Sequence, residues 1–303
     1  MDGKFKKWKD AKIHIFTHSL HYGGGIFEGI RFYNTPDGPA IFRLKDHIKR
    51  FFYSARPIDL KIPYSQKELC NVAIKLVKKN KAKNGYIRPI GYYGYGKMGL
   101  CPIGAPVNVA MFALSFASYL GGKAVKAKTS KYMRLHPDST VVDAKVTGHY
   151  ANSIIASLEI RKAGADEALF LDYKGNVAEG PGENIFIVKK GVLYTPAVDH
   201  ILPGFTREAI MSLARDNGYK VVEKTLKPKD VYLADEAFFT GTAAEITVIG
   251  LLDNKKIGSG SIGPVAKKLK EEYMNVVKGR NPKYKKWLTY VNHYKITKLK
   301  IQN

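Results

Sequence analysis

The stretch Tyr119-Leu120-Gly121-Gly122-Lys123 interrupts the pattern of the sequence near its middle. A glycine pair of this kind is typical of a turn or a linker, because glycine adopts backbone conformations that other residues avoid. With 303 residues and 45% hydrophobic residues, the chain is long enough to form two packed cores. We therefore predict an N-terminal α/β domain over residues 1–118, a linker over 119–125 and a C-terminal α/β domain with a basic tail over 126–303.

The residues before this stretch combine strand patterns with two helices. The helix predicted over 45–56 has a continuous apolar face, and the next helix begins with a capping box formed by Ser65 and Glu68. Runs rich in β-branched and aromatic residues predict strands at 12–16, 27–33, 86–93 and 107–116.

The second half has the same mixture of helices and strands, without regular strand-helix alternation. Apolar periodicity predicts helices at about 150–163, 206–217 and 264–277. Strands are predicted at 168–171, 185–188, 219–222 and 237–240. The fold class is therefore α/β with an α+β texture.

The formal net charge of +24 at pH 7 is the one unusual property of the composition. Clustered positive charge attracts nucleic acids, anionic membranes and acidic metabolites. Basic residues concentrate between Lys267 and Lys300, where Tyr and Trp side chains alternate with them in a pattern that suits single-stranded nucleic acid. No nucleic-acid motif accompanies this tail, so we expect a solvated basic surface and keep nucleic-acid binding as the alternative.

The sequence also bears on the compartment. No stretch approaches the roughly 20 apolar residues that a membrane helix requires. The N-terminal residues are basic, but no apolar segment follows them, and we expect no secretory signal. Cys70 and Cys101 lie far apart and fit neither a disulfide framework nor a zinc site. These features favour a cytoplasmic protein that does not contact the membrane.

Two motifs suggest a dinucleotide site and a metal site. In each case the neighbouring residues do not fit the structure that such a site requires. The run Gly94-Tyr95-Gly96-Lys97-Met98-Gly99 fits the dinucleotide pattern GxGxxG. That pattern requires a helix that begins at the third glycine, whereas Cys101-Pro102 follows here, so we predict a glycine-rich loop. His14, His18 and His21 have the spacing of metal ligands on a helix, but residues 13–16 have a strand pattern and three glycines follow at 23–25. We therefore predict no metal site.

A phosphate site is indicated by Leu202-Pro203-Gly204-Phe205-Thr206, which leads directly into a predicted helix. The free amides of Phe205 and Thr206 would lie at the helix N-terminus, where partial positive charge favours an anion. The alternative is that Thr206 is an ordinary N-cap. Arg50 offers a fork of donors to the same phosphate, although an arginine at this position also fits a plain surface role.

The segment Glu179-Gly180-Pro181-Gly182-Glu183-Asn184 precedes a predicted strand. Such a segment is often a surface turn. Alternatively, the tight backbone directs Glu179 inward, where its carboxylate would hold a pyridine nitrogen protonated. A protonated ring withdraws electrons from a substrate carbon and makes its proton removable.

Six segments stand in a characteristic order and spacing. They are Tyr22 to Arg31, Tyr86 to Pro89, Ala144 to Tyr150, Glu179 to Asn184, Leu202 to Arg207 and Gly241 to Thr247. Together they resemble the class IV aminotransferases, and specifically the branched-chain amino-acid aminotransferases. Each segment alone is modest evidence, but six in register are specific, and the resemblance covers residues 13–291.

The resemblance implies the two-domain pyridoxal-phosphate fold type IV, similar to D-amino-acid aminotransferase. It implies pyridoxal 5'-phosphate between the two domains and a homodimer or larger assembly. The glycine-rich loop 94–99 matches the family loop that reaches into the active site of the partner, where Leu100 would make an apolar contact. The resemblance also selects Lys145 from many lysines as the catalytic residue, which would hold the cofactor covalently and move a proton between it and the substrate α-carbon.

The other roles implied by the resemblance fall into two groups. For the cofactor, Tyr150 would bind the ring hydroxyl and Glu179 the ring nitrogen, and the phosphate would be held by Arg50, Phe205, Thr206 and Thr242. For the substrate, the α-carboxylate would be bound by Tyr86 and the amides of Thr242 and Ala243, and the side-chain pocket would be lined by Tyr22, Phe27 and Tyr119. Arg88 would pair with the glutamate carboxylate and lie beside an aliphatic chain in the other half-reaction.

The implied activity is reversible transfer of the amino group of L-leucine, L-isoleucine or L-valine to 2-oxoglutarate by a ping-pong mechanism. The nearest alternatives are other class IV activities, namely D-amino-acid aminotransferase, aminodeoxychorismate lyase and amine transaminase. An alternative of a different class is nucleic-acid binding by the basic tail.

Overall fold

The computed structural model describes residues 1–115 and 123–292. The strands are β1 (Gly25–Phe27), β2 (Ile30–Thr35), β3 (Gly38–Phe42), β4 (Gly85–Tyr93), β5 (Val107–Leu114), β6 (Val125–Thr129), β7 (Glu167–Leu169), β8 (Asn184–Lys189), β9 (Val192–Thr195), β10 (Val221–Glu223), β11 (Glu236–Gly241), β12 (Glu245–Leu252), β13 (Lys255–Lys256) and β14 (Leu288–Tyr290). The α-helices are α1 (His18–Tyr22), α2 (Leu44–Ala55), α3 (Gln66–Lys79), α4 (Tyr150–Lys162), α5 (Phe205–Asp216), α6 (Pro228–Tyr232) and α7 (Pro264–Val277). Short 3-10 helices lie at Trp8–Asp10, Arg56–Ile58, Thr147–His149, Val198–His200 and Pro282–Trp287.

The contacts divide the chain into two compact units. Among the described residues, the first unit comprises 1–115, 144–149 and 277–292, and the second comprises 123–143 and 150–276. Each unit combines a sheet with helices, which confirms the predicted α/β class. The predicted linker at 119–125 falls mostly outside the described residues, and the predicted domain limits stay a prediction. The end of the basic tail, residues 293–303, also lies outside the description.

The first unit is built on a six-stranded antiparallel sheet in the order β1-β4-β2-β3-β14, with β5 along the other edge of β4. β1 and β2 pair with successive parts of β4 and are separated by Glu28 and Gly29. Pro89 of β4 lies opposite this interruption, and its carbonyl accepts a hydrogen bond from the Glu28 amide at 3.1 Å. Because proline has no N–H to return, the ladder is incomplete here.

The core of this unit is formed by α2 and α3 against the sheet. It contains Ile48 and Phe51 of α2, Ala73 and Ile74 of α3, and Ile87 of β4, all fully buried. The predicted capping box at the start of α3 is confirmed. Its two hydrogen bonds are Ser65 N to Glu68 Oε2 at 2.8 Å and Glu68 N to Ser65 Oγ at 3.2 Å.

The second unit is built on an eight-stranded mixed sheet in the order β10-β9-β8-β11-β12-β6-β7, with β13 beside β12. The pairs β9–β10, β6–β12 and β6–β7 are parallel, and the other pairs are antiparallel. Buried aromatic and aliphatic side chains of β8 and β11, including Ile185 and Phe239, fill its interior. This sheet places residue 184 at the start of β8 directly opposite residue 240 near the end of β11.

One predicted strand is wrong. Residues 12–16 form no strand, and the chain turns locally instead. Phe16 N donates to His14 Nδ1 at 3.0 Å, and Thr17 Oγ1 donates to the His14 carbonyl at 2.6 Å. Side-chain hydrogen bonds of this kind compete with strand pairing for the backbone groups. Within residues 1–115 and 123–292, no helix is both long enough and apolar enough to cross a membrane.

Candidate active site

Lys145 lies in the first unit, just before the short helix at Thr147–His149. Its amide donates to the hydroxyl of the buried Ser54 at 2.9 Å, and its carbonyl accepts from the Phe27 amide at 3.1 Å. Its Nζ lies 4.8 Å from the centre of the Phe27 ring. Helix α2 and strand β1 therefore hold the backbone of this lysine from two sides, and its amine is placed over an aromatic face.

Arg50 is held by Glu28, a carboxylate that is 0% exposed. Glu28 Oε1 accepts from Arg50 Nε at 2.6 Å, and Oε2 accepts from Arg50 Nη2 at 3.0 Å and from His47 Nδ1 at 2.7 Å. Although burial would raise the pKa of Glu28, the Arg50 guanidinium and His47 lower it well below its usual range. His47 and Arg50 lie three residues apart on α2, so both reach the same carboxylate. The bidentate contact fixes the orientation of the guanidinium.

Arg88, Tyr86 and Phe27 form a second group in the first unit. The Arg88 Cζ atom lies 4.7 Å from the centre of the Phe27 ring and 5.2 Å from that of Tyr86. Its Nη2 donates to the Tyr86 hydroxyl at 2.9 Å, while its buried Nε has no partner among the described residues. A Cβ atom on Gly29 would stand 1.9 Å from the Tyr86 hydroxyl, so this glycine makes room for the tyrosine.

Tyr22 is partly exposed and contacts the glycine-rich loop. Its hydroxyl donates to Met98 Sδ at 3.1 Å and accepts from the Gly99 amide at 3.3 Å. The Nε2 of buried His18 also lies 2.8 Å from the Gly99 carbonyl. The loop is thus fastened to α1 by two aromatic side chains. Tyr119, the other residue predicted to line the substrate pocket with Phe27, lies outside the described residues.

Glu179 is buried in the second unit, which excludes the surface-turn alternative. Its Oε1 accepts from Arg134 Nε at 2.6 Å, and its Oε2 accepts from Asn184 Nδ2 at 3.1 Å. The Leu202 amide lies within 3.3 Å of both oxygens. These three donors hold the carboxylate in one orientation.

The N-terminus of α5 begins next to this group. The helix starts at Phe205 with Gly204 at the N-cap, so the alternative that Thr206 is an ordinary N-cap is wrong. A Cβ on residue 204 would stand 2.1 Å from Asn184 Oδ1, so glycine is required for this close approach. The Asn184 Nδ2 group also donates to the Leu202 carbonyl at 2.9 Å. One asparagine therefore contacts both the carboxylate and the turn that leads into α5.

The remaining predicted residues also lie in the second unit. Thr242 and Ala243 are in the turn between β11 and β12, and both are half-buried. The hydroxyl of Thr240, which ends the buried part of β11, has no hydrogen-bond partner among the described residues. Tyr150 is the first residue of α4. The second unit thus contains a buried carboxylate joined through Asn184 to the turn before α5, and a half-buried turn between β11 and β12.

Several contacting residues were not predicted as site residues. Glu28 and Asn184 lie inside two of the six characteristic segments, so the sequence contained a signal for them. His47, Ser54 and Arg134 lie outside those segments, and no periodicity or turn pattern distinguishes them. Only the folded chain brings them to the predicted residues.

The GxGxxG run forms a loop, and the three histidines make hydrogen bonds with the backbone. No helix begins at Gly99, so the GxGxxG match forms a loop as predicted. The rings of His14, His18 and His21 each approach a backbone group, and no set of three His, Cys, Asp or Glu side chains in the described ranges could hold a metal ion.

Comparison with known proteins identifies the family to which this chain belongs. The sequence profile described as amino-transferase class IV matches residues 25–251. A branched-chain-amino-acid aminotransferase of Pseudomonas aeruginosa is 47% identical over 294 residues, and that of Escherichia coli K12 is 38% identical over 297 residues. Each alignment covers 96% of this chain and 96% of the relative.

The solved structures agree with the sequence relatives. The T.th. branched-chain amino acid aminotransferase complexed with N-(5'-phosphopyridoxyl)-L-glutamate has a TM-score of 0.93 and 43% identity, and the match covers 95% of this chain and 96% of that chain. Its structure with pyridoxamine 5'-phosphate gives the same TM-score and identity. The predicted fold type is therefore confirmed. The chain belongs to the class IV aminotransferases.

Proposed function

We propose that this chain catalyses the reversible transfer of the amino group of L-leucine, L-isoleucine or L-valine to 2-oxoglutarate, with pyridoxal 5'-phosphate as cofactor. The observation that carries the proposal is that the Arg88 Cζ atom lies 4.7 Å from the ring centre of Phe27 and 5.2 Å from that of Tyr86. This group of side chains offers aromatic faces to an aliphatic side chain and a guanidinium to the glutamate γ-carboxylate. A branched-chain aminotransferase must accept both in turn.

The residues fit the proposed cofactor by the chemistry of their donors. The first amides of α5 have no intrahelical acceptor and suit the phosphate, together with the guanidinium that Glu28 orients on Arg50. Thr242 adds a further donor two residues from Thr240, whose hydroxyl has no partner in the part of the chain that the structure describes. Glu179 is a buried carboxylate, which suits a protonated ring nitrogen. Tyr150 would hydrogen-bond the ring hydroxyl, and Lys145 would hold the cofactor.

When bound, the cofactor withdraws electrons from the substrate α-carbon and makes its proton removable. The chain supplies one group that moves this proton and others that bind the substrate. The Lys145 amine accepts the proton from the α-carbon and returns it in the reverse direction. The amides of Thr242 and Ala243, with the Tyr86 hydroxyl, bind the α-carboxylate and orient the substrate.

A panel of amino donors tests the activity directly. With 2-oxoglutarate as acceptor, L-leucine, L-isoleucine and L-valine should be used in preference to D-alanine or a simple amine. A preference for D-alanine or the amine would replace the proposal with one of the sister class IV activities. Lys145→Ala should abolish both the cofactor absorbance band and transamination, whereas Lys78→Ala, at an exposed position on α3, should keep both.

A second prediction concerns Arg88. Arg88→Ala should lower kcat/KM for glutamate by about ten- to a hundredfold, because a hydrogen bond to a charged group contributes about 1.5–3 kcal/mol. Leucine should lose much less, since its side chain needs the aromatic walls alone. The measurement is the ratio of the two kcat/KM values, with Arg88→Lys as the variant that keeps the charge but loses the fork. Equal losses for both substrates would refute the double role.

We further propose a homodimer in the cytoplasm. The loop after β4 exposes Met98, Leu100 and Ile103, three apolar side chains that suit burial against a second copy. Cys70 and Cys101 are free thiols, which suits a reducing compartment. Light scattering should give twice the 33.8 kDa chain mass, and a monomer at catalytic concentration would contradict the dimer.

A further inference from the structure

Arg134 and Glu179 form an ion pair inside the second unit. The distance between Arg134 Nε and Glu179 Oε1 is 2.6 Å, and the side chains are 11% and 6% exposed. A buried charge persists only when it is paired and hydrogen-bonded, so this arginine has a specific partner. No sequence motif marks it.

Arg134 makes two further hydrogen bonds, one through its backbone and one through its guanidinium. The Arg134 amide donates to the Leu171 carbonyl at 2.8 Å, and its Nη2 donates to the Val142 carbonyl at 3.3 Å. Arg134 lies between β6 and the helix at Thr147–His149, in a segment without regular secondary structure. The first contact holds the backbone of Arg134, and the second holds its guanidinium, without help from a helix or strand.

The donors around Glu179 all favour its ionised form. Asn184 Nδ2 and the Leu202 amide are neutral N–H groups, and the Arg134 guanidinium carries a full positive charge. A protonated carboxyl would have to present a hydrogen to one of these donors, which would oppose it. Arg134 is therefore the strongest of the three in holding Glu179 as a carboxylate. Glu183, the other buried carboxylate of the same turn, accepts from the Gly182 amide at 3.1 Å.

A carboxylate that faces a pyridine nitrogen shares one proton with it. The proton stays on the nitrogen when the carboxylate is the weaker base, and a neighbouring guanidinium weakens that base. We infer that Arg134 is a positioning residue that holds Glu179 ionised and so keeps the proton on the ring nitrogen of the bound cofactor. This inference rests on the proposed function, in which Glu179 contacts that nitrogen.

The test is NMR of the holoenzyme carrying a cofactor labelled at the ring nitrogen, followed from neutral to alkaline pH. In the unchanged enzyme the nitrogen should stay protonated throughout. In Arg134→Met the ring proton should pass to Glu179 or be lost at a lower pH, and kcat should fall about ten- to a hundredfold, the expected result of removing a charged hydrogen-bond partner. Arg134→Lys, which keeps the charge, should restore the protonated signal.

Further variants separate this role from packing. Asn184→Ala removes a neutral donor from the same carboxylate and should move the nitrogen signal less than Arg134→Met does. In the background of Glu179→Gln, adding Arg134→Met should cause no further change in the signal. Arg215→Met, at an exposed position on α5, should leave the signal unchanged.

Two outcomes would overturn the inference. One is a ring nitrogen in Arg134→Met that titrates as in the unchanged enzyme, and the other is a lysine variant that behaves as the methionine variant does. If Arg134→Met does not fold, Arg134→Gln, which removes the charge but keeps N–H donors, takes its place and should lose the ring proton at a lower pH than the unchanged enzyme does. The NMR signal does not depend on the amino donor, so failure of the donor panel is a separate result.

Discussion

The two units each contain a buried ion pair between glutamate and arginine, and the two pairs are used in opposite senses. Both have an N–O distance of 2.6 Å, and the arginines are 10% and 11% exposed. In the first unit Glu28 lies behind Arg50, which we propose binds the negative phosphate. In the second unit Arg134 lies behind Glu179, which we propose binds the positive ring nitrogen.

In both pairs the residue proposed to face the cofactor, Arg50 or Glu179, is paired with a buried charge of opposite sign. A single buried charge is costly to keep ionised, and a partner of opposite sign holds both its ionisation and its orientation. The supporting residues differ in their setting. Glu28 follows β1 and also contacts His47, whereas Arg134 lies in an irregular segment and relies on backbone carbonyls. The same interaction can therefore be built on regular or irregular backbone.

The largest expected effect comes from breaking the first pair. Glu28→Gln should lower the free energy of unfolding by about 3–5 kcal/mol, because Arg50 is left as an unpaired buried charge. Urea denaturation of the cofactor-free protein measures this loss. The double variant Glu28→Gln with Arg50→Met should be less destabilised than the single one. If the single change costs under about 1 kcal/mol, Glu28 and Arg50 do not form a buried pair in solution.

Removing the carboxylate of the second pair should act on the rate. Glu179→Gln should lower kcat by about a hundredfold, near 2.7 kcal/mol, because a neutral amide cannot hold the ring nitrogen protonated. The loss should appear in kcat at saturating cofactor and substrate, and the cofactor spectrum should change with it. If kcat is unchanged in this variant, Glu179 does not bind the ring nitrogen of the cofactor.

The smallest expected effect concerns His47, which has no counterpart in the second pair. Burial lowers the pKa of His47 from its usual 6.5, against the opposing effect of the Glu28 carboxylate. As the pH falls below 6.5, the unfolded chain takes up a proton and the folded chain does not. Stability should therefore be complete above this pH and fall below it by up to about 1.4 kcal/mol per pH unit.

Unfolding measured at several pH values tests this slope. His47→Gln should flatten it, while His136→Gln, whose side chain is 34% exposed, should leave it unchanged. The pKa of Glu28 is also lowered from its usual 4.5, so its contribution is present above that pH and is lost only on further acidification. An unaltered slope in His47→Gln would show that this histidine is protonated in the folded protein.

Much of the local structure could be predicted from the sequence. The capping box at Ser65 and the helix that follows Gly204 depend on neighbouring residues, so their patterns are visible in a short window. The strand predicted over 12–16 failed for the opposite reason. Its alternating pattern suits a strand, but the His14 carbonyl and ring bond to the next residues instead. Residue pattern alone does not decide between these local partners.

The sequence by itself determined the α/β class, the glycine-rich loop and, through six segments in register, Lys145 and Glu179 as candidate site residues. The tertiary structure alone decided which side chains support them. Ser54 and Lys145 are 91 positions apart, and Arg134 and Glu179 are 45 apart. Contacts of such separation depend on how the segments within each unit fold against its sheet. No local propensity records that information, and so the pairing of Glu28 with Arg50, and Arg134 itself, became visible only in the folded chain.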